Sequence, residues 1–499
     1  MISRRTLAGG SLVLLSLSAL PQVSRAVADA VSGEGALRRD EVWDVLIVGA
    51  GAAGLAAAVA AKEAGAKRVL VLEKQALAGG HMIVSSGMLN ALDPEGQARA
   101  GRKDSAERFF RDTYEGGGMI ADPDLVSRMV NESGAVFGWL KGMGLEFDPK
   151  LYEAYTGVYP RAHRTIWARS GMEYGWKLMA RARSLGVVVR YRSRAERLLF
   201  NPLGELEGVS ARDAAGAPHV FFARSVVLAA GGFGANLSMR ARWAPSIPRE
   251  LDTTYSPGHL KEDPATGDAV RMAEQAGAAL TGMEHVLAIP FWGGRVLDYP
   301  GAEIFLTNEG RRFTDETAAW DVIFADLAQT GSGEFWVVTD SRSPKGANFA
   351  TKVQQGLVSS AATLDELALR MSVPKSVLED SVRRYNDAWR RKSDPDFGRT
   401  RFLQGISDPP YYYGRERFEI HYTCGGVAIT PEAEVKRSAS TGGVIPGLYA
   451  AGETTGGVHG KFRLGGNGLL DAFVFGRIAG ANAARFAAHF AAGRPAARD

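Results

Sequence analysis

The 499-residue chain carries a single cysteine, Cys424. One thiol excludes an internal disulfide, a Cys-x-x-Cys-His haem attachment and a cysteine-ligated iron–sulfur cluster. Long apolar runs are also missing. Leu12 to Leu20 is too short to span a membrane stably, and no later run is long enough for a transmembrane helix. Charge of one sign is not in excess. The chain has 59 Lys and Arg against 55 Asp and Glu, a formal +4. Nucleic acid binding is therefore not expected, and neither is a metal site.

What is there begins with an export signal. Ser3-Arg4-Arg5-Thr6-Leu7 carries the paired arginines of a twin-arginine signal, Leu12 to Leu20 is its apolar core, and Ala26-Val27-Ala28 fits a cleavage site. Cleavage after residue 28 removes Arg4, Arg5 and Arg25 and no acid, so the formal charge falls from +4 to +1. The sequence therefore predicts a periplasmic protein, exported folded with its cofactor loaded. Residues 29–42 read as a flexible leader.

Sixty glycines fit a nucleotide-binding α/β protein with many tight turns. The chain is organised around Val45-Leu-Ile-Val-Gly-Ala-Gly-Ala-Ala-Gly54. Val45 to Val48 reads as a buried parallel strand. Gly49, Gly51 and Gly54 follow in the spacing G-x-G-x-x-G, then an alanine-rich helix to Ala64, a strand from Arg68 to Leu72, and Glu73. Gly49 allows the tight turn, Gly51 lets backbone approach a pyrophosphate, and Gly54 lets helix and strand pack closely. The helix N-terminus offers unpaired N–H groups to phosphate. Glu73 can accept hydrogen bonds from ribose hydroxyls.

Further along, the spacing predicts helices over 105–114, 125–143 and 174–184 and a strand over 187–191. Residues 195–200, 208–212 and 219–222 read as a small sheet. Ser225 to Leu228 reads as a second buried strand running into Gly231 and Gly232. From about residue 284 the chain is richer in aromatics and charge, with helices over 364–371 and 375–391. Pro409-Pro410-Tyr-Tyr-Tyr413 reads as a linker, after which the glycine-rich style returns. The expected division is a nucleotide-binding domain at 43–283 and 421–499, discontinuous in sequence, with an inserted α+β capping domain at 284–420.

The motifs Val48 to Gly54, Ala229-Ala-Gly-Gly-Phe-Gly234, Ala265-Thr-Gly-Asp268, His421-Tyr-Thr-Cys-Gly-Gly426, Gly447-Leu-Tyr-Ala-Ala-Gly-Glu453 and Gly456-Gly-Val-His-Gly-Lys-Phe-Arg-Leu-Gly-Gly-Asn467 carry a resemblance. With them the chain, over about 43–490, resembles the soluble fumarate reductase and flavocytochrome c flavoprotein family, related to succinate dehydrogenase flavoproteins. The resemblance implies a Rossmann-like FAD domain and a lid. It implies FAD, held by Gly49, Gly51, Gly54, Glu73, Lys74, Gly79, Gly80, Ser86, Gly87, Ala195, Asp268, Tyr422, Glu453, Gly468 and Leu469. His81 falls one position from the histidine that some members link covalently, so non-covalent FAD is expected. It also implies that His421 and Arg463 grip a substrate carboxylate beside the flavin. An arginine forks two hydrogen bonds onto a carboxylate, and a histidine donor supports negative charge developing on a carbonyl oxygen.

The chain departs from the family on the lid. The position of the family's proton-donating arginine, after Arg312-Phe-Thr-Asp-Glu-Thr-Ala-Ala319, holds Trp320. A family histidine for the second carboxylate falls at Ile289, and the proton relay falls near Val296 and Tyr299. Trp320, Ile289, Phe291 and Trp292 suggest a flatter, more apolar substrate than fumarate, such as an aryl acrylate or enone. Replacement donors are Tyr299, Tyr255, His285 or Arg295. The expectation is an FAD-dependent oxidoreductase interconverting C=C and C–C next to a carboxylate or carbonyl. It would be served by a separate carrier such as a cytochrome or quinol-linked protein. Two alternatives stay open: a dehydrogenase running in the oxidative direction, as in ketosteroid dehydrogenases, and a flavin electron-transfer protein without turnover.

Overall fold

The computed structural model describes residues 42–154, 158–168, 170–255, 260–290, 301–343, 345, 349–438 and 440–491. The expected signal and nearly all of the leader lie outside them, as do Phe291, Trp292, Arg295, Val296 and Tyr299.

The first sheet starts with β1 (Trp43–Val48), α1 (Ala52–Glu63) and β2 (Val69–Leu72). Val45 to Val48 and all of β2 are buried, as strands covered on both faces must be. After α2 (Pro123–Gly142) and α3 (Met172–Ser184) come β3 (Val188–Arg190), β4 (Arg194–Phe200), β5 (Leu206–Arg212) and β6 (Pro218–Leu228). The small-sheet strand expected at 219–222 and the buried strand expected from Ser225 are one strand. The N-terminal half of β6 pairs antiparallel with β5, and its C-terminal half pairs parallel with β1. A burial pattern that changes from mixed to fully buried along β6 records that change of neighbours.

After α4 (Asp268–Gln275), a second sheet takes β7 (Val286–Pro290), β8 (Ile304–Leu306), β9 (Glu334–Thr339), β10 (Ser359–Ala361) and β11 (Tyr411–Thr423). Its order is β7-β11-β9-β8, with β10 also on β11. Phe335 and Val337 face one core cluster while Trp336 and Val338 face another, the period-two alternation of a strand buried on both faces. The first cluster takes α5 (Trp320–Gln329), and the second takes α6 (Leu364–Met371) and α7 (Lys375–Arg391).

The expected linker at Pro409–Tyr413 is instead the start of β11. Tyr411 and Tyr413 bury their rings with Leu378 and Tyr385, so aromatic area makes this segment a central strand. β11 also runs without a break past the expected domain edge after residue 420, to Thr423. His421 therefore stands on the second sheet's longest strand.

The chain returns to the first sheet as β12 (Glu434–Lys436) and β13 (Val444–Ala450), then closes with α8 (Asn467–Ala491). The order is β12-β13-β6-β1-β2-β3. α8 lies against α1 with backbone nearly touching backbone: a Cβ on Gly476 or Gly480 would fall 2.5 or 2.1 Å from the carbonyl oxygens of Ala53 or Ala57. No helix among the described residues is long and apolar enough to cross a membrane.

Candidate functional site

Register brings three glycine-rich loops to one place. Val48 pairs with Leu72 and Leu228, and Leu228 pairs with Ala450, so β2, β1, β6 and β13 end at one level. Gly49, Ala229 to Gly232 and Ala451-Gly452 leave from that edge. The approach is tight: a Cβ on Gly49, whose φ is +101°, would lie 2.4 Å from the Ala229 carbonyl oxygen. Ligands of open parallel sheets bind outside the carboxyl ends of strands. Here the same edge, roofed by β7, α5 and β11, bounds a cavity of about 950 Å³. That is the upper end of the usual range of roughly 300–1,000 Å³ for ligand sites.

Along the sheet edge the cavity is lined by Gly49, Gly51, Glu73, Lys74, Gly80, Ser86, Gly87, Ala195 and Asp268, and beyond them by Tyr422, Glu453, Gly468 and Leu469. Two predicted glycines stand behind the lining. Gly54 packs its backbone on Gly49, where a Cβ would meet the Gly49 carbonyl oxygen at 1.9 Å. Gly79, at φ +126°, turns the chain into the short 3-10 segment Gly80–Val84. The Glu73 carboxylate accepts N–H bonds from Ala50 (2.8 Å) and Gln75 (2.7 Å), which ties the glycine turn to the end of β2. Asp268 is engaged by Lys74 at 2.9 Å, Arg194 at 2.6 Å and Arg271 at 3.1 Å. Burial works against its charge, but these cations outweigh it and hold the carboxyl down at about 2.

The other end of the cavity gathers His421, Arg463, Trp320, Leu287, Ile289 and Pro290. Arg463 sits between Phe462 and Leu464, both buried in the cluster that contains Trp320. Among the described residues its guanidinium meets the Leu464 carbonyl (3.1 Å) and the face of the Tyr422 ring (4.9 Å), and no carboxylate pairs with it. Its Nε is buried without a hydrogen-bond partner. The Tyr422 hydroxyl bonds Asp471 at 3.1 Å, and burial pushes its pKa well up. His421 Nδ1 lies 2.8 Å from Thr254 Oγ1. Trp320 is 2% exposed and meets Phe418 edge-on. Of the replacement donors proposed from sequence, Tyr255 lines the cavity and His285 does not; Tyr299 and Arg295 lie outside the described residues.

The family model described as "FAD binding domain" matches residues 44–469. "Fumarate reductase (cytochrome)" of Shewanella frigidimarina is 33% identical over 451 residues, 89% of this chain and 77% of that one. "Urocanate reductase" of Eggerthella lenta is 34% identical over 464 residues, 89% and 75%. A solved open conformation of a flavocytochrome c3 fumarate reductase superposes with a TM-score of 0.75 at 31% identity, covering 94% of this chain and 81% of that one.

The chain belongs to the FAD-binding domain family of fumarate reductase-like flavoproteins. It is an FAD-dependent oxidoreductase acting on CH–CH groups, with the FAD domain and cap of that fold.

The residues present in this flavoprotein fit FAD. A Cβ on Gly51 or Gly231 would meet nothing within 4 Å, so both leave open space on the cavity wall where a ligand can approach the backbone. The N-terminus of α1 has neither a side-chain cap nor an acid in its first turn, which leaves its N–H groups for a phosphate.

Sequence reasoning missed a chain of polar contacts that runs through the cavity wall at His81 and Glu453. Thr253 donates to Asp263, Asp263 bonds His81 at 2.8 Å, His81 lies 3.9 Å from Glu453, and Glu453 accepts the Thr423 N–H at 2.9 Å. Burial lowers the His81 pKa, but Asp263 outweighs it and the net shift is upward; burial also raises Glu453. No sequence signal pointed to these contacts, which join residues far apart in the chain, as Thr254 and His421 are at a separation of 167 residues.

Proposed function

We propose that this flavoprotein is an exported enoate reductase. Its substrate would carry one carboxylate or carbonyl and, at the other end, an apolar or aromatic group. The observation that carries the reading is Arg463: a guanidinium with no carboxylate partner among the described residues, in a cavity whose adjoining wall is Trp320, Leu287 and Ile289. A cationic group left without a carboxylate in a cavity is suited to an anion. The apolar wall suits an aryl or alkyl group better than a second carboxylate.

The glycine turn, Glu73 and the loop at Ser86 and Gly87 would hold FAD, which would supply hydride chemistry there. The chain's own groups do the rest. Arg463 anchors the acyl end. His421 donates a hydrogen bond to the oxygen that gains charge as the alkene is reduced. Trp320 excludes water and packs the far end of the substrate; its indole N–H is no general acid. The twin-arginine motif supports export to the periplasm. The single cysteine supports electron delivery by a separate cytochrome or quinol-linked carrier.

The test is anaerobic reduction of the flavoprotein followed by a screen of enoates for flavin reoxidation. An aryl acrylate is expected to reoxidise the flavin faster than fumarate. Brisk turnover of fumarate would overturn the reading of Trp320 and Ile289. Flavin reduction by saturated ketones would favour the oxidative direction, and no reoxidation by any enoate would favour an electron-transfer protein.

A further inference from the structure

We propose that Asp471 is a positioning residue for Arg463: through the Tyr422 hydroxyl it fixes the aromatic platform on which the guanidinium lies. The inference deepens the enoate reductase reading and rests on its assignment of Arg463 as the anion anchor.

The N-terminal end of α8 brings the parts together. Gly468 and Asp471 stand three residues apart on that helix, so they share one face. A Cβ on Gly468 would fall 3.1 Å from Arg463 Cδ and 3.5 Å from Tyr422 Cε2, so both side chains pack close against the bare helix there. The guanidinium lies over the Tyr422 ring, with Cζ 4.9 Å from the ring centroid. Asp471 takes the hydroxyl end of the same ring. Its Oδ2 is 3.1 Å from the Tyr422 hydroxyl and 3.2 Å from His459 Nε2. The His459 ring meets the Tyr422 ring edge-on at 5.5 Å. Asp471 therefore reaches Arg463 only through the tyrosine.

Burial makes this arrangement costly. Asp471 is 1% exposed, and among the described residues its Oδ1 has no hydrogen-bond partner. A polar group so placed destabilises the fold unless its remaining bonds achieve something. What they achieve is orientation. A phenol and a carboxyl group hold each other whichever of them donates, so the tether does not depend on where the protons sit. With its hydroxyl fixed, the Tyr422 ring cannot swing about χ1. His459 and Gly468, packed against it, restrict its turning about its own axis. The ring face then stays beside the guanidinium, where the cation–π contact holds Arg463 in place. An arginine already held in this way loses less side-chain freedom when an anion binds.

The test is the dissociation constant of 3-phenylpropanoate, read from its perturbation of the oxidised flavin spectrum in the FAD-loaded protein. Y422F removes the hydroxyl and keeps the ring, and is expected to weaken binding about tenfold. D471A should do the same. D471N keeps an acceptor for the phenol and should bind within about threefold of the parent. In an R463A background, Y422F should change the constant by less than about twofold, because the tether acts only through the guanidinium. Parent-like binding by Y422F would overturn the proposal, and so would an equal loss with and without Arg463. Y422F leaves the ring packing in place, so the test stands even if D471A does not fold. An R463A protein that binds the probe as the parent does would sink the anchor reading itself, and the role of Asp471 with it, which tells that failure from one confined to the tether.

Discussion

Arg463→Ala separates a substrate anchor from a structural arginine, because the two roles predict opposite losses. In the folded chain the guanidinium has little to lose. Its contacts among the described residues are the Leu464 carbonyl at 3.1 Å and the Tyr422 ring at 4.9 Å, and its Nε is buried unpaired. One neutral acceptor and one cation–π contact are together worth about 2 kcal/mol, which in a protein of this size moves Tm by no more than about 5 °C. Toward a carboxylate the ledger is different. Two charge-assisted bonds at roughly 1.5–3 kcal/mol each predict a fall of ~10²–10⁴ in kcat/KM. The assay pairs a thermal melt of the FAD-loaded variant with stopped-flow reoxidation of its reduced flavin by an aryl acrylate. An arginine that matters only for packing would give the reverse pattern: a large drop in Tm and kcat/KM within about threefold of the parent. That outcome would refute the assignment of Arg463.

The glycine turn makes two predictions of opposite kind. Gly51→Ala should fold normally, because its Cβ meets no protein atom, yet retain FAD poorly on gel filtration, whereas Gly54→Ala should fail to fold, because its Cβ would fall 1.9 Å from the Gly49 carbonyl oxygen. Normal FAD retention by Gly51→Ala would contradict the pyrophosphate placement. Asp268, held at about 2, binds its proton more weakly folded than unfolded. It therefore contributes stability that is complete above about pH 4 and lost as pH falls from about 4 to about 2, some 2 kcal/mol in all. Asp268→Asn should be less stable than the parent by about that amount at pH 7 and nearly equal to it near pH 2 in urea unfolding, and an undiminished gap at low pH would contradict the ion-pair account. Ile289→His adds a cation-capable side chain to the cavity wall. Succinate is expected to inhibit this variant more strongly than the parent, and an unchanged inhibition constant would show that Ile289 does not face the substrate's far end.

The cofactor half of the site was legible because it is local. Strand, three glycines, helix, strand and Glu73 follow within one unit of the chain, and the tight turn at Gly49 and the close packing at Gly54 follow from that spacing. The helices at 364–371 and 375–391 were legible for a similar reason, since their apolar faces repeat at helical spacing. The reading failed where a segment's neighbours decide its fate. Three tyrosines after two prolines look like a linker until β9 and β10 are there to pair with them. The stretch at 218–228 looks like two strands because it has two sets of neighbours.

The sequence by itself pointed to a glycine turn suited to a dinucleotide, through its family resemblance to FAD as that dinucleotide, and to Trp320 where the resemblance leads one to expect an arginine. Only the tertiary structure decided that His421 belongs to the cap sheet and that a threonine 167 residues away holds its ring. It also decided that Arg463 meets no carboxylate among the described residues. The reason is physical. A phosphate-binding turn is made by consecutive residues and their dihedral angles. The substrate end is made where strands and loops distant in the chain meet, and there a slip of one residue in register would turn His421 to the other face.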